Sequence, residues 1–322
     1  MAEYERQHDV PQGHLRLFTS NASKTRIWQF DKVSGARQEV GIRDAAVAKH
    51  TYSFKNANGS QNIEMEHFLK NIEDRGLGAI KRFKFREELT TEQQWNVARY
   101  VAVMVRRPRI LVQHFRADAV NFFNEEWHDR WLQQQISEIE DNSTGAEATE
   151  AREAIRAGRF AADANAIQKA QIRAWEKTLD KGAAYVLDME WKVQDAAQSY
   201  FFITGDAPAI MRPDSEYYDS VPERWPTSGE YAELIMPISS KRLFIAHHRR
   251  RLTTGKASKS RIFEINKLLI RRAHRFVYLK AKTTGFLQLF EENRQFVAPV
   301  PDFEGFKEEF RSRMLTASNS PN

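Results

Sequence analysis

Two glutamates seven residues apart, Glu66 and Glu73, fall on one face of a helix two turns apart. A third carboxylate, Asp206, sits where a strand gives way to a loop, a place where functional groups are often displayed. Three carboxylates suit a hard divalent cation, and Mg²⁺ or Mn²⁺ held by Glu66, Glu73 and Asp206 could activate water for attack on a phosphodiester. His8 would act as the base, and Arg107 would steady the charge developing on the phosphate.

Each of these residues also has a structural reading. Glu66 precedes Lys70 by four positions, the spacing of an ordinary helical ion pair, and Glu73 could simply flank the helix end. Asp206 before Ala207-Pro208 could form a turn by bonding its own backbone. His8 near Pro11 could be a packed or exposed side chain, and Arg106-Arg107-Pro108-Arg109 closes a helix, where cations complement the dipole without any ligand. Asn266, on the edge of an apolar helical stripe, could be a buried amide bonding a neighbouring loop.

The strongest compositional signal lies elsewhere. Between Lys241 and Lys282 stand fourteen Lys and Arg residues against one acid, Glu264, a formal +13 in a chain whose net charge is only +6. A solvated charged face normally interleaves acids, so this crowding points to a polyanionic partner. Arg249, Arg250 and Arg251, followed by Lys256 and Lys259, read as a phosphate-contacting loop, with Arg271, Arg272 and Arg275 adding charge along a helix. Phe263, His274, Phe276 and Tyr278 could offer stacking faces or belong to the core. The adjacent His247 and His248 point to opposite sides of an extended segment and do not share a metal.

The elements that must position these groups show in the hydrophobic pattern. Arg26 to Phe30 alternates as a strand, stopped by the polar run to Gly35. A helix spans roughly 62–75, where Met65, Phe68, Leu69 and Ile72 share a face and Gly76 and Gly78 end or break it. A second helix begins near Thr91 with capping-box spacing and runs to Pro108. From about 111 to 198 the pattern stays helical, its Gly145–Lys181 part rich in Ala, Glu, Arg and Lys. Segments near 200–204, 232–237 and 243–247 read as strands, and 260–282 as one helix with Ile262, Ile265, Leu269, Ala273 and Phe276 on its apolar stripe.

These elements predict a mainly helical α+β protein in which helices cover a small antiparallel sheet and bring the His8 region near the Asp206 turn. One domain is expected over residues 1–322, with a helical insertion or arm at 141–198 and a disordered tail at 316–322. The absence of cysteine excludes a disulfide framework and Cys-ligated zinc and fits a cytoplasmic protein. Neither an apolar leader nor a stretch long enough to span a bilayer is present, so no membrane partner is expected.

The order of short motifs resembles the bacterial domain-of-unknown-function family numbered 4238. The resemblance is carried by His8-x-Val10-Pro11 with Leu15 and Phe18, by Trp28, Tyr52, Glu66-x6-Glu73 and Arg107-Pro108. It continues through Phe202-Ile203-Thr204-Gly205-Asp206-x-Pro208, Met236-Pro237-Ile238-Ser239 and Asn266. The family's opening is closer to His-Tyr-Val-Pro and its turn to Thr-Ser-Asp-Asn-Pro, so Asp9, Gly205 and Ala207 depart from it. Some members sit among phage-defence genes, and the resemblance therefore implies a defence role. Two readings follow: a defence enzyme that cuts nucleic acid with a divalent metal, or a non-catalytic module that captures nucleic acid or a phage component while its carboxylates serve structure.

Overall fold

The computed structural model describes residues 6–49, 53–55, 60–81, 88–108, 178–213, 232–248 and 255–297. They belong to one compact unit formed by Met1–Val112 and Ala174–Pro301. A second unit, Gln113–Arg173 with Asp302–Asn322, lies outside the described residues, as do the expected tail and the 141–177 part of the expected insertion. Residues 178–188 of that insertion are helical, but Glu190–Asp195 is a strand.

In chain order the first unit contains β1 (Arg6–His8), α1 (Gln12–Leu15), β2 (Arg26–Asp31), β3 (Arg37–Gly41), β4 (Val47–Lys49), β5 (Phe54–Lys55) and β6 (Gln61–Asn62). There follow α2 (Glu64–Ile80), α3 (Thr91–Arg106), β7 (Glu190–Asp195), β8 (Thr204–Gly205), β9 (Ile210–Pro213), β10 (Ala232–Ser239) and β11 (Arg242–His247). The last are α4 (Lys259–Arg272), β12 (Phe276–Leu279) and α5 (Thr284–Asn293). No helix among the described residues is long and apolar enough to cross a membrane.

The expectation of a mainly helical chain over one small sheet is overturned. Two four-stranded antiparallel sheets, β7-β11-β10-β9 and β3-β2-β12-β8, make this a mixed α+β fold. The four expected strands divide between them, residues 26–31 and 204–205 in one sheet and 232–239 and 242–247 in the other. The single helix expected over 260–282 ends at Arg272, and Phe276-Val277-Tyr278-Leu279 pairs between β2 and β8 as a central strand. β-Branched and aromatic residues suit such a strand, and the sheet neighbours decide what a helical period of five apolar residues could not.

Between the sheets the core gathers around α4. Ile262, Ile265 and Leu269 meet Phe30, Val277 and Leu279 of one sheet and Ile210, Ile235, Leu243 and Ile245 of the other, with Phe286 and Phe290 of α5 closing the side. β10 is buried along nearly its whole length, which explains its continuous apolar run. Its Pro237 is tolerated because the pairing with β11 shifts register between Pro237 and Ser239, and β9 pairs only Ala232 to Ile235.

α2 and α3 pack against one another. Thr90 caps α3, its side chain accepting from Gln93 N while Gln93 answers to Thr90 N, one residue ahead of the expected start. α2 does not stop at Gly76 but continues to Ile80. Gly76 is there for contact: an added Cβ would lie 2.3 Å from Tyr100 Cβ, so the glycine is what lets the two helices approach.

Candidate functional site

Arg107, at the C-terminal end of α3, is 3% exposed and ties three elements together. Its Nε and Nη2 donate to the His8 carbonyl at 3.1 and 2.6 Å, and its Nη1 donates to Glu73 Oε1 on α2. Glu66, two turns earlier on α2, lies beside this pair. Burial pushes its carboxyl up, the Arg107 charge opposes that rise and the Glu73 charge adds to it. Glu66 Oε1 has no hydrogen-bond partner. The His8 ring turns elsewhere, with Nε2 3.3 Å from the Arg43 carbonyl.

A buried polar chain leads from this cluster toward the sheet. The Tyr100 hydroxyl is 2.9 Å from His14 Nδ1, and His14 Nε2 is 3.4 Å from Thr204 Oγ1. His14 has no exposed surface, and burial lowers its pKa to about 3, so the ring is neutral at physiological pH. Burial raises the Tyr100 phenol well above its ordinary value, helped by the Glu73 charge. His14 and Tyr100 did not stand out in the sequence, because a lone His and a helical Tyr there look like core.

Asp206 does not join Glu66 and Glu73. Its Oδ1 accepts from His274 N at 2.8 Å, and its Oδ2 accepts from Arg275 N and Phe276 N at 2.7 and 2.8 Å. These bonds pin the turn between α4 and β12. Burial pushes the carboxyl up against the pull of the three donors. Lys32 caps the end of α4 nearby, donating to the carbonyls of Arg271, Ala273 and Phe296 at 3.2, 2.6 and 3.0 Å. Burial lowers its ammonium to about 8, with the Asp206 charge acting the other way. Among the described residues no group of three or more His, Asp or Glu side chains is placed to hold a metal ion.

Asn266 takes its structural reading. Its Oδ1 accepts from Ile203 N at 3.1 Å and its Nδ2 donates to the Phe201 carbonyl at 3.0 Å, fastening the segment before β8 to α4.

The sequence reading missed a buried row of charge on the α4 side of the β9-β10-β11 sheet. Glu233 pairs in register with Arg212 on one neighbour and His247 on the other. It accepts from Arg212 Nε at 2.8 Å and from Arg261 Nη2 of α4 at 3.0 Å, with His247 Nε2 3.3 Å away. Burial acts against its ionisation, yet the His247 hydrogen bond and the charges of Arg212 and Arg261 hold its carboxyl far below the ordinary range. A single acid inside the apolar run Ala232 to Ile238 was the available signal.

Three arginines of the cationic window meet acids. Arg261 lies on Glu233 and Glu264, Arg275 on Asp31 at 2.9 Å, and Arg242 is 3.8 Å from Asp195. Arg271 stacks on Phe296, its guanidinium carbon 3.7 Å from the ring centroid, and Arg272 is part-buried at the end of α4. Arg249, Arg250 and Arg251 lie outside the described residues.

The lysines differ. None of Lys241, Lys256, Lys259, Lys267, Lys280 and Lys282 forms an ion pair with an acid among the described residues. Lys241 Nζ instead donates to the carbonyls of Gln198 and Tyr200 at 2.8 and 2.6 Å. Lys259 Nζ lies 5.8 Å over Tyr200 and 5.9 Å over Phe263, and Lys282 Nζ lies 3.9 Å over Trp28. Of the rings considered for stacking, Tyr278 is fully buried, whereas Phe263 is half-buried at this face with Tyr200 beside it.

The family model described as Protein of unknown function (DUF4238) matches residues 6–283, and the chain belongs to that family. No curated protein matches the chain, and no solved structure does.

Proposed function

We propose that this protein binds nucleic acid through the lysine-rich face formed by the β10-β11 turn, the start of α4 and the β12-α5 connection, and that its landmark carboxylates hold the fold. The observation that carries this reading is the division of the cations. The buried Arg107 and Arg212 and the part-buried Arg261 each engage an acid, while the six lysines from 241 to 282 pair with none among the described residues. Like charges left unneutralised on one face repel at a cost to stability, and a phosphate backbone removes that cost while releasing counterions. Asp206 and Glu73 are engaged by backbone N–H groups and by Arg107, which supports a structural use for both. A role in bacterial anti-phage defence is part of the proposal and rests on the family resemblance.

The deciding measurement is binding of labelled DNA and RNA over a range of salt. Wild type should show a steep linear loss of log affinity with log salt, about 0.7–0.9 in slope for each phosphate contact. Lys256→Glu with Lys280→Glu, both exposed and held by no hydrogen bond or ion pair among the described residues, should flatten that slope by one to two contacts at an unchanged melting temperature. Equal affinity and slope in the variant would remove this face.

A second reading, a nuclease dependent on Mg²⁺ or Mn²⁺, is favoured by Glu66, whose carboxyl is raised and whose Oε1 lacks a hydrogen bond beside Glu73 and Arg107. Plasmid and total RNA incubated with either metal separate the two. Degradation lost in Glu66→Gln supports the nuclease, and intact substrate that still binds supports the module.

A further inference from the structure

We infer that the nucleic acid taken by this face is single-stranded, with bases stacking on Tyr200, Phe263 and Trp28 while the neighbouring lysines move onto the phosphates. This inference rests on the binding reading above and adds the class of ligand. The three rings are half-buried, Trp28 and Tyr200 packing on the core and Phe263 lying against Tyr200.

Tyr200 and Phe263 meet edge to face, their centroids 6.3 Å apart at 72°, so their planes present two differently oriented platforms. The start of α5 abuts the second platform at Gly285, where a Cβ would come within 3.2 Å of Phe263 Cζ. Lys282, three residues earlier, lies over Trp28. Lys241, bonded to the Tyr200 carbonyl, joins the platforms to the β10-β11 turn. The surface is therefore continuous from Lys241 through Tyr200, Lys259 and Phe263 to Lys282 and Trp28.

A lysine lying on a half-buried ring makes a weak contact that a base can replace, because an aromatic plane stacks on any base. The displaced ammonium then remains within reach of the adjoining phosphate. In a duplex the base faces are already stacked on each other, so rings at the surface gain nothing from it. Only unpaired bases can use both parts of this face, the platforms and the charges.

The test uses the full chain with fluorescein-labelled oligothymidylate and oligouridylate longer than the roughly 4–16 nucleotides such a surface covers, and a duplex of equal length. Fluorescence anisotropy should show the single strands bound at least tenfold more tightly than the duplex. Tyr200→Leu with Phe263→Leu keeps apolar volume but removes the π faces. It should weaken single-strand binding about 5- to 150-fold per lost stack and leave duplex binding unchanged.

Intrinsic fluorescence supplies a check independent of those variants. Single-stranded oligonucleotide should quench wild-type tryptophan emission, and Trp28→Phe, which keeps a stacking ring, should lose that quench while retaining affinity. Duplex bound as tightly as single strand, or leucine variants with wild-type single-strand affinity, would overturn the inference while leaving nucleic-acid binding in place. Failure to bind any of the oligonucleotides would remove the binding reading itself.

Discussion

Replacing Glu233 by Gln tests whether the buried charge row holds the β9-β10-β11 sheet to α4. Glu233 and His247 are each 1% exposed and Arg212 is 8% exposed, so loss of the carboxylate charge strands Arg212 in the interior. Glu264 can take over only in part, since it is 3.6 Å from Arg212 and about half exposed. Breaking a buried pair by removing one partner costs about 3–5 kcal/mol. Arg261, 27% exposed and also paired with Glu264, can turn toward water, which places the expected loss near the lower end, about 3 kcal/mol. For a unit of this size that is roughly 6–12 °C in melting temperature.

The acid limb supplies an independent reading of the same group. A carboxyl held low in the folded state contributes stability that is present above its ordinary value of 4.5 and is lost as pH falls toward the folded value. Wild type should therefore lose melting temperature steeply below about pH 4.5, and Glu233→Gln should lose it less steeply. The assay is thermal unfolding by far-ultraviolet circular dichroism at neutral pH and along an acid series. Arg212→Met, Glu233→Leu and Arg261→Met together should recover most of the loss, because apolar replacement of a buried ion network is often neutral. A Gln variant that melts with wild type at neutral pH and shares its acid slope would refute the reasoning.

Asp206→Ala removes the acceptor of three backbone N–H groups; water can reach those of exposed His274 and Arg275, so roughly 2–4 kcal/mol should be lost in urea unfolding. Asp206→Asn should retain part of it, and a loss below about 0.5 kcal/mol would mean the turn holds without this cap. Gly76→Ala should destabilise by about 1–3 kcal/mol because Tyr100 Cβ and the Asn96 carbonyl must move, whereas Gly78→Ala, which meets nothing within 4 Å, should stabilise by about 0.5–1 kcal/mol. Equal melting temperatures for the two glycine variants would contradict the close approach of α2 and α3. Glu66→Gln should melt higher than wild type at neutral pH: a carboxyl raised in the fold favours its protonated form, so stability is lost as pH rises through the folded value. A lower melting temperature would show the Glu66 charge to be favourable where it sits.

The amino-acid order alone was enough to locate α3, β2, β10, β11 and the start of α2 to within a few residues, because apolar spacing and a capping signal are local properties. It also marked Glu73, Arg107 and Asn266 as constrained positions, through motif order rather than through any visible partner. Partners were decided by tertiary structure. Nothing near residue 206 in the chain indicates that its carboxylate meets N–H groups at 274–276, nor anything near residue 107 that its guanidinium meets the carbonyl of residue 8. The stretch from 260 to 282 was ambiguous because five apolar residues at helical spacing are compatible with a helix throughout; pairing with β2 and β8 converted its last part into strand. Charge divided in the same way. Counting fourteen cations requires only the sequence, but which of them meet acids depends on contacts made across the fold, where Arg261 and Arg275 reached carboxylates while Lys259 and Lys282 came to lie on aromatic rings.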